Sequence, residues 1–139
     1  MTMAEKRPPR SLQTQQDSEF WAWCDKGELR LQRCKDCGHM VFPPVAPCEN
    51  CGSDHLEWEK LSGKGKLVSW CTIERDYYRG ALPLPWDNIV VELDEGPYFI
   101  SNPSGFSNSE AEYGMDVKVT FLDCEDENGI YKLPLFERT

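Results

Sequence analysis

The segments Cys34-Lys35-Asp36-Cys37-Gly38 and Cys48-Glu49-Asn50-Cys51-Gly52 decide the fold of this 139-residue chain. Each is a CxxC motif closed by a glycine, which permits the positive φ of a tight turn. Four thiolates carried by two such turns suit a tetrahedral, closed structural zinc site. Two disulfides are the alternative, but seven cysteines and the absence of an apolar leader disfavour it. The motif predicts one zinc per chain, bound by Cys34, Cys37, Cys48 and Cys51.

Short strands are predicted on both sides of the two motifs. Apolar and polar residues alternate over 29–32 and again over 56–59, and residues 39–42 form an apolar run between the motifs. These three segments form the strands of a zinc ribbon. His39 and His55 lie beside the motifs, but four cysteines already complete the ligand set, so we expect neither histidine to bind the metal.

A short helix is predicted before the ribbon. Asp17 and Ser18 are suited to its N-cap, and Gly27 is a suitable stop. Two tryptophans on so short a helix exceed what one core stripe needs, and tryptophans often anchor interfaces. Phe20, Trp21 and Trp23 are therefore candidate contacts to a second subunit, with a half-buried surface aromatic as the alternative for Trp21. Residues 1–16 are rich in proline, glutamine and basic residues, and we expect a flexible arm there.

The second half of the chain has the pattern of an all-β unit. Short segments with a period of two are separated by turns that contain glycine, proline or acidic residues, which predicts a small five-stranded barrel. The expected strands span 67–74, 89–93, 98–101, 115–122 and 130–136. The glycine-rich segment 62–66 is interpreted as a flexible elbow between the ribbon and this barrel. We expect Cys71, within the first of these strands, to be a core residue.

Charge is distributed unevenly and limits the possible functions. Residues 1–66 carry ten basic and ten acidic residues, whereas residues 67–139 carry five basic and fourteen acidic residues. An acidic barrel disfavours a groove that follows a nucleic-acid backbone. No apolar run approaches the roughly 20 residues of a membrane span, and a cytoplasmic protein is expected. With two histidines and no nucleophile–base motif, turnover by this chain alone is not expected.

The order of these features resembles a known family. Phe20-Trp21, the segment 27–34, Cys37-Gly38, Phe42-Pro43-Pro44, Cys48, Cys51-Gly52, Gly63-Lys64-Gly65, the segment 91–96 and the segment 114–117 are typical of the zinc-ribbon OB-fold family of acyl-CoA-associated proteins, long catalogued as a domain of unknown function. The resemblance implies a mainly β fold with an N-terminal short helix, a four-cysteine zinc ribbon and a C-terminal five-stranded OB-fold barrel. The corresponding boundaries are 1–16 for the arm, 17–62 for the helix and ribbon, and 63–139 for the barrel.

The resemblance also implies a function. Members of this family are non-catalytic partners of thiolase-like enzymes, hydroxymethylglutaryl-CoA synthase, lipid-transfer-type aldolases and acyl-CoA hydratases, in which they bridge subunits and help to hold a CoA thioester. A ligand-free scaffold and a nucleic-acid-binding protein are the alternatives. The chain departs from the family pattern at Asn102-Pro103-Ser104-Gly105 and in its aromatic, basic loop at 75–86. In that loop Arg75, Arg79, Tyr77 and Trp86 are the candidate CoA contacts, since arginine binds phosphate in a bidentate manner and stacks on rings. The alternative is that the loop is a flap that binds the partner protein.

Overall fold

The computed structural model describes residues 4–80 and 82–139 and shows ten strands and one α-helix in that part of the chain. The elements are β1 (Glu5–Lys6), α1 (Gln15–Asp25), β2 (Arg30–Cys34), β3 (Met40–Val41), β4 (Leu56–Lys60), β5 (Lys64–Ile73), β6 (Trp86–Leu93), β7 (Tyr98–Ser101), β8 (Pro103–Ser104), β9 (Asp116–Asp126) and β10 (Gly129–Arg138). A short 3-10 helix, Asn108–Glu110, lies between β8 and β9. None of the described helices is long and apolar enough to cross a membrane.

The ribbon is a three-stranded antiparallel sheet in the order β3-β2-β4. Its central strand is β2, in which Leu31 is fully buried and Arg33 pairs with Glu59 of β4 at 2.9 Å. The predicted ribbon strands are confirmed, although β3 is only two residues long. Pairing ends there because Pro43 and Pro44 follow, and proline has no N–H to donate to a ladder.

The predicted C-terminal OB-fold unit is confirmed, but its strands form an open sheet rather than a five-stranded barrel. Its seven strands follow the order β7-β6-β5-β9-β10-β8, with β1 added to β9 in parallel. The two ends of this path, β7 and β8, are consecutive in the chain and separated only by Asn102. Asn102 Nδ2 donates to the backbone oxygen of Asp87 at 2.6 Å, and the chain then passes from pairing with β6 to pairing with β10.

One core joins the helix, the ribbon and the OB sheet. Phe20 and Cys24 of α1 and Leu31 of β2 pack in the same cluster as Val91 of β6 and Phe136 of β10. A second, smaller cluster beneath the metal motifs contains Cys34, Val41 and Cys48. The two units predicted from the sequence therefore share buried apolar surface, and each stabilises the position of the other.

The glycine-rich segment between the two units is regular structure rather than a flexible elbow. Lys64, Gly65 and Lys66 are the first residues of β5, and they pair with both β6 and β9. The Gly63 oxygen accepts a hydrogen bond from Val119 N at 2.7 Å. These glycines allow close approach of neighbouring strands, which is a different reason for glycine from chain mobility.

The N-terminal segment lies against the OB sheet from Ala4 onward. β1 pairs with β9, and Arg10 donates to the buried carboxylate of Asp126 at 3.2 Å. The helix begins earlier than its predicted cap, because Thr14 Oγ1 accepts from Asp17 N at 3.1 Å and so serves as the N-cap. The predicted stop at Gly27 is confirmed by its φ of 74°.

Candidate functional site

The four predicted ligands form one compact cluster. The sulfur atoms of Cys34, Cys37, Cys48 and Cys51 all lie within 4.8 Å of one another. Cys34 and Cys48 are buried, whereas Cys37 and Cys51 face solvent. Four sulfur atoms so close together, with no disulfide between them, are suited to bind one metal ion in a tetrahedral arrangement.

Each CxxC motif folds into the same turn. Gly38 N donates to Cys34 O at 2.9 Å, and Gly52 N donates to Cys48 O at 2.9 Å. The φ angles of the two glycines are 77° and 78°, in the region that glycine adopts without a steric cost. This repeated geometry explains why the sequence spacing alone was sufficient to predict the metal site.

The pKa values of three of the four thiols are shifted by their neighbours. A hydrogen bond from Asn50 is the main cause that lowers the pKa of Cys37 to about 6, and backbone hydrogen bonds lower that of Cys34. The pKa of Cys51 rises to about 12, against a backbone hydrogen bond from Ser53, because Cys34 and Cys37 are its neighbours. Metal binding requires thiolates and displaces the remaining protons, so a dication removes this conflict.

Carboxylates around the ribbon bind both histidines. His39 Nε2 lies 3.1 Å from Glu49 Oε1, and His55 Nδ1 lies 3.0 Å from Asp36 Oδ2. Asp36 also accepts from Ser53, and this hydrogen bond is the main cause of its lowered pKa. Neither histidine belongs to the ligand cluster, in agreement with the prediction.

The three aromatic residues of α1 have different environments. Phe20 is a core residue with 6% exposure. Trp21 is half-buried: its ring packs edge-on against Tyr131 at 5.3 Å, and its Nε1 donates to the Ser11 oxygen. Trp23 is also half-buried, with the Arg30 guanidinium 4.0 Å from its ring centroid. Phe20 is thus a core residue, Trp21 packs on the arm, and Trp23 lies near solvent.

The four predicted CoA contacts do not form one cluster in the structure. Arg75 lies 5.6 Å over the ring of Tyr77, and both are exposed, as is Arg79. Trp86 instead begins β6 and packs against Tyr78 at 6.1 Å. Only Trp86 of the four lines the two cavities described next.

Two adjoining cavities of about 240 and 270 Å³ lie between the arm and the loop that precedes β6. Both are lined by Arg7, Leu82, Trp86 and Asn102, and we call them together the Arg7 groove. Sequence reasoning missed Arg7 and Tyr78 as site residues. No local pattern could identify Arg7, because the other residues that line the first cavity, Leu82 to Phe106, are 75 to 99 positions away in the chain.

Exposure of Cys71 corrects another prediction. This residue lies in β5 but its side chain faces solvent, so it is not a core residue. The buried cysteines outside the metal cluster are Cys24 and Cys124. The ladder continues past a bulge between Leu67 and Ser69, which changes the face that the following residues occupy.

Comparisons with known proteins identify the family. Residues 21–57 match the model described as ChsH2, rubredoxin-like zinc ribbon domain, and residues 58–122 match ChsH2, C-terminal OB-fold domain. A DUF35 domain-containing scaffold protein of Methanocaldococcus jannaschii is 30% identical over 99 residues, which cover 68% of each chain. The chain belongs to this DUF35 family of zinc-ribbon and OB-fold proteins. The family's zinc ribbon and the four clustered thiols fit one structural zinc per chain.

Other relatives carry names that connect them with acyl-CoA enzymes. Benzoylsuccinyl-CoA thiolase subunit BbsA of Thauera aromatica is 43% identical over 77 residues, which cover 50% of this chain and 54% of BbsA. The 3-oxo-4,17-pregnadiene-20-carboxyl-CoA hydratase alpha subunit of Mycobacterium tuberculosis is 29% identical over 123 residues, which cover 88% of this chain but 38% of that subunit. A solved structure titled Ltp2-ChsH2(DUF35) aldolase aligns with a TM-score of 0.79 at 26% identity, and the alignment covers 93% of this chain and 98% of that chain.

Proposed function

We propose that this chain is a non-catalytic accessory subunit of an acyl-CoA-processing enzyme complex, whose catalytic partner is a thiolase-like enzyme, a lipid-transfer-type aldolase or a hydratase. The observation that carries the proposal is the alignment, over 93% of this chain, with a chain of the solved structure titled Ltp2-ChsH2(DUF35) aldolase. Relatives named as thiolase and hydratase subunits, and others named as scaffold proteins, support it.

The chemistry of the site supports a structural rather than a catalytic role. Cys34, Cys37, Cys48 and Cys51 would hold a zinc ion with four thiolates, and a zinc held in this way would have a structural role and no open position for water or substrate. Both histidines are paired with carboxylates on the ribbon surface. The proposal therefore assigns the chemical step to the partner and assigns assembly to this chain.

Co-expression with candidate catalytic subunits tests the proposal. We expect one of them to co-elute with this chain in size-exclusion chromatography, and its solubility or its activity on a CoA thioester to depend on this chain. The isolated chain is expected to show no turnover. Independent elution of every thiolase-like, aldolase and hydratase candidate would contradict the proposal, as would turnover by the chain alone.

The proposal includes a CoA-thioester contact at Arg75, Arg79, Tyr77 and Trp86. Two exposed guanidiniums in an otherwise acidic half of the chain support it, since charge-assisted hydrogen bonds to phosphate are strong. Calorimetric titration of a CoA thioester into the complex is expected to show a loss of about 1–3 kcal/mol in the Arg75→Ala/Arg79→Ala variant. Unchanged affinity in an intact complex would favour a ligand-free scaffold, the alternative that the scaffold names of several relatives support.

The proposal also includes a cytoplasmic location. All seven cysteines are free, three of them outside the metal cluster, which is the state that a reducing compartment maintains. Fractionation of the source cells with an antibody against this chain tests the location.

A further inference from the structure

The Arg7 groove contains a cation with little internal compensation. The Arg7 side chain is 17% exposed, and its only carboxylate neighbour within 4 Å among the described residues is Glu5, at 3.9 Å and half exposed. Its other polar contact is a long hydrogen bond of 3.4 Å to Asn102 Oδ1. An ion pair of this length at the surface contributes little. Arg7 therefore has donors available for an anion that enters the groove.

The other charged residues that line the groove, Arg10 and Asp87, have hydrogen-bond partners of their own. Arg10 binds Asp126 through both its backbone N and its guanidinium, at 3.0 and 3.2 Å. The Asp87 carboxylate accepts from Thr72 Oγ1 at 3.0 Å and from Asn108 N at 2.8 Å. These neutral donors hold Asp87 in place without Arg7, and its carboxylate keeps its charge. Among the described residues Asp87 nevertheless forms no ion pair with Arg7 within 4 Å, so the Arg7 donors are not occupied by it.

The walls of the groove are aromatic and its base is apolar. Trp86 and Tyr78 pack at 6.1 Å with their planes tilted by 52°, and Tyr78 remains 44% exposed. Leu82, at 8% exposure, closes the base. The two cavities thus combine aromatic and apolar side chains with polar ones such as Asn102 and with one available guanidinium, and small-molecule sites also combine such groups.

We propose that the Arg7 groove binds a planar ring that carries an anionic group. Arg7 contacts the anion, and the ring lies against Trp86 and Tyr78, because aromatic faces and guanidiniums both favour such a partner. Two sources share this chemistry: the nucleotide end of a CoA molecule and an aromatic carboxylate. This inference depends on the geometry of the groove and not on the scaffold role, and the groove shares only Trp86 with the contact proposed at Arg75 and Arg79.

Calorimetric titration of the full-length, zinc-loaded chain tests the inference. One arm uses adenosine 3′,5′-bisphosphate as the probe and the other uses benzoate. Two variants remove the proposed contacts, Arg7→Gln and Tyr78→Ala. Two matched controls alter residues that do not line the groove, Lys6→Gln and, for the tyrosine, the exposed Tyr113→Ala.

We expect at least one probe to bind and Arg7→Gln to weaken its binding by about tenfold or more, with a loss of about fivefold or more in Tyr78→Ala. Both controls should bind like the wild type, and the probe that binds identifies the source of the ring. The inference is overturned if neither probe binds at millimolar concentration, or if Lys6→Gln weakens binding as much as Arg7→Gln. If Arg7→Gln fails to fold, the comparison of Tyr78→Ala with Tyr113→Ala decides the outcome.

Discussion

Gly65 shows how one residue can control the junction between the ribbon and the OB sheet. It pairs with Leu93 on one side and with Val117 on the other. A Cβ atom at this position would lie 2.6 Å from both the Glu92 oxygen and Val91 Cγ1. Since a backbone oxygen cannot move without disturbing the ladder, any side chain here forces the strands apart.

The Gly65→Ala variant is therefore expected to lose about 1–3 kcal/mol of unfolding free energy, the usual cost of overpacking. Urea denaturation followed by tryptophan fluorescence measures the loss. Lys64→Ala is the matched control, because Lys64 is exposed on the same strand and such changes usually stay within about 0.5 kcal/mol. Equal stability of the two variants would show that the strands accommodate a methyl group.

The seven cysteines are expected to react with a maleimide in three separate groups. Exposed Cys71 should react first in the zinc-loaded protein, and the four ligands only after chelation. Burial raises the pKa of Cys24 to about 12 and that of Cys124 to about 11. Both remain protonated at pH 8, and because the thiolate is the nucleophile, they should react only in denaturant. Mass spectrometry with and without chelator checks the order, and early labelling of Cys24 would contradict it.

The zinc ligands could be predicted from the sequence, whereas Arg7 could not, and the difference is physical. Ligands within one CxxC motif are brought together by a local turn that the motif itself encodes. Arg7 acquires its role from Asn102 and Trp86, which are brought to it only by the complete sheet. The face of Cys71 was mispredicted for a related reason, because the bulge that sets it depends on pairing between strands.

At the scale of elements, the ribbon depends on its metal. Its small cluster of Cys34, Val41 and Cys48 buries little apolar surface, so zinc binding supplies much of its folding free energy, on the order of 10 kcal/mol in peptide models. Cys48→Ser is expected to abolish zinc binding and to unfold the ribbon, whereas the wild type should contain one zinc per chain. Metal-emission analysis and the loss of dispersed ribbon NMR signals report the two effects. Wild-type protein without zinc and with free thiols would refute the assignment.

The arm is held to the OB sheet by a cluster that the sequence did not indicate. The Arg10 guanidinium lies 4.3 Å over the ring of Tyr131, beside Trp21, and pairs with Asp126, whose side chain is fully covered. These partners are more than 100 positions apart in the chain, except for Trp21. A polar, proline-rich segment has no local signal for such contacts, and for this reason composition predicted mobility where the structure shows pairing.

Removal of Arg10 should therefore be costly. Arg10→Ala leaves the covered carboxylate of Asp126 without its guanidinium, and breaking a buried pair in this way costs about 3 kcal/mol. Arg138→Ala is the control, because Arg138 and Glu110 form an exposed pair that should contribute about 1 kcal/mol or less. Chemical denaturation of the two variants provides the comparison. Similar losses in both would show that the arm contributes little to the stability of the fold.

For the molecule as a whole, opposite charge favours the position of the arm, and apolar packing determines that of the helix and ribbon. The arm carries Lys6, Arg7 and Arg10, and it lies on β9, where Glu125 and Asp126 are two of the fourteen acidic residues of the second half. The helix and ribbon, residues 17–62, carry five basic and nine acidic residues, and they pack onto the acidic sheet through one apolar core rather than through opposite charge. The order of the elements was predictable, because each element has a local pattern, and the fold family followed from the resemblance. The open form of the sheet was not predictable, because the pairing of β8 with β10 joins segments that are distant in the chain.

The whole-molecule arrangement also determines which tryptophan is available to a partner. Phe20 is in the core and Trp21 packs on Tyr131, but Trp23 and Trp58 border one shallow surface cleft of about 330 Å³. Trp58 Nε1 donates to Glu19 Oε2 at 2.7 Å, so this surface is ordered before a partner binds. A rigid, half-buried tryptophan at such a place has the character of an interface anchor.

Trp23→Ala is therefore expected to weaken the complex with the catalytic subunit by about 2 kcal/mol or more, roughly thirtyfold, with little change in the stability of the free chain. Trp21→Ala should do the reverse, because its ring stabilises the arm and Tyr131 within the chain. Biolayer interferometry of the purified partner against each variant, together with thermal melts of the variants alone, separates the two effects. If Trp23→Ala binds as tightly as the wild type, the docking surface lies elsewhere on the chain, and the exposed Tyr98 and Ile100 of β7 are the next residues to test.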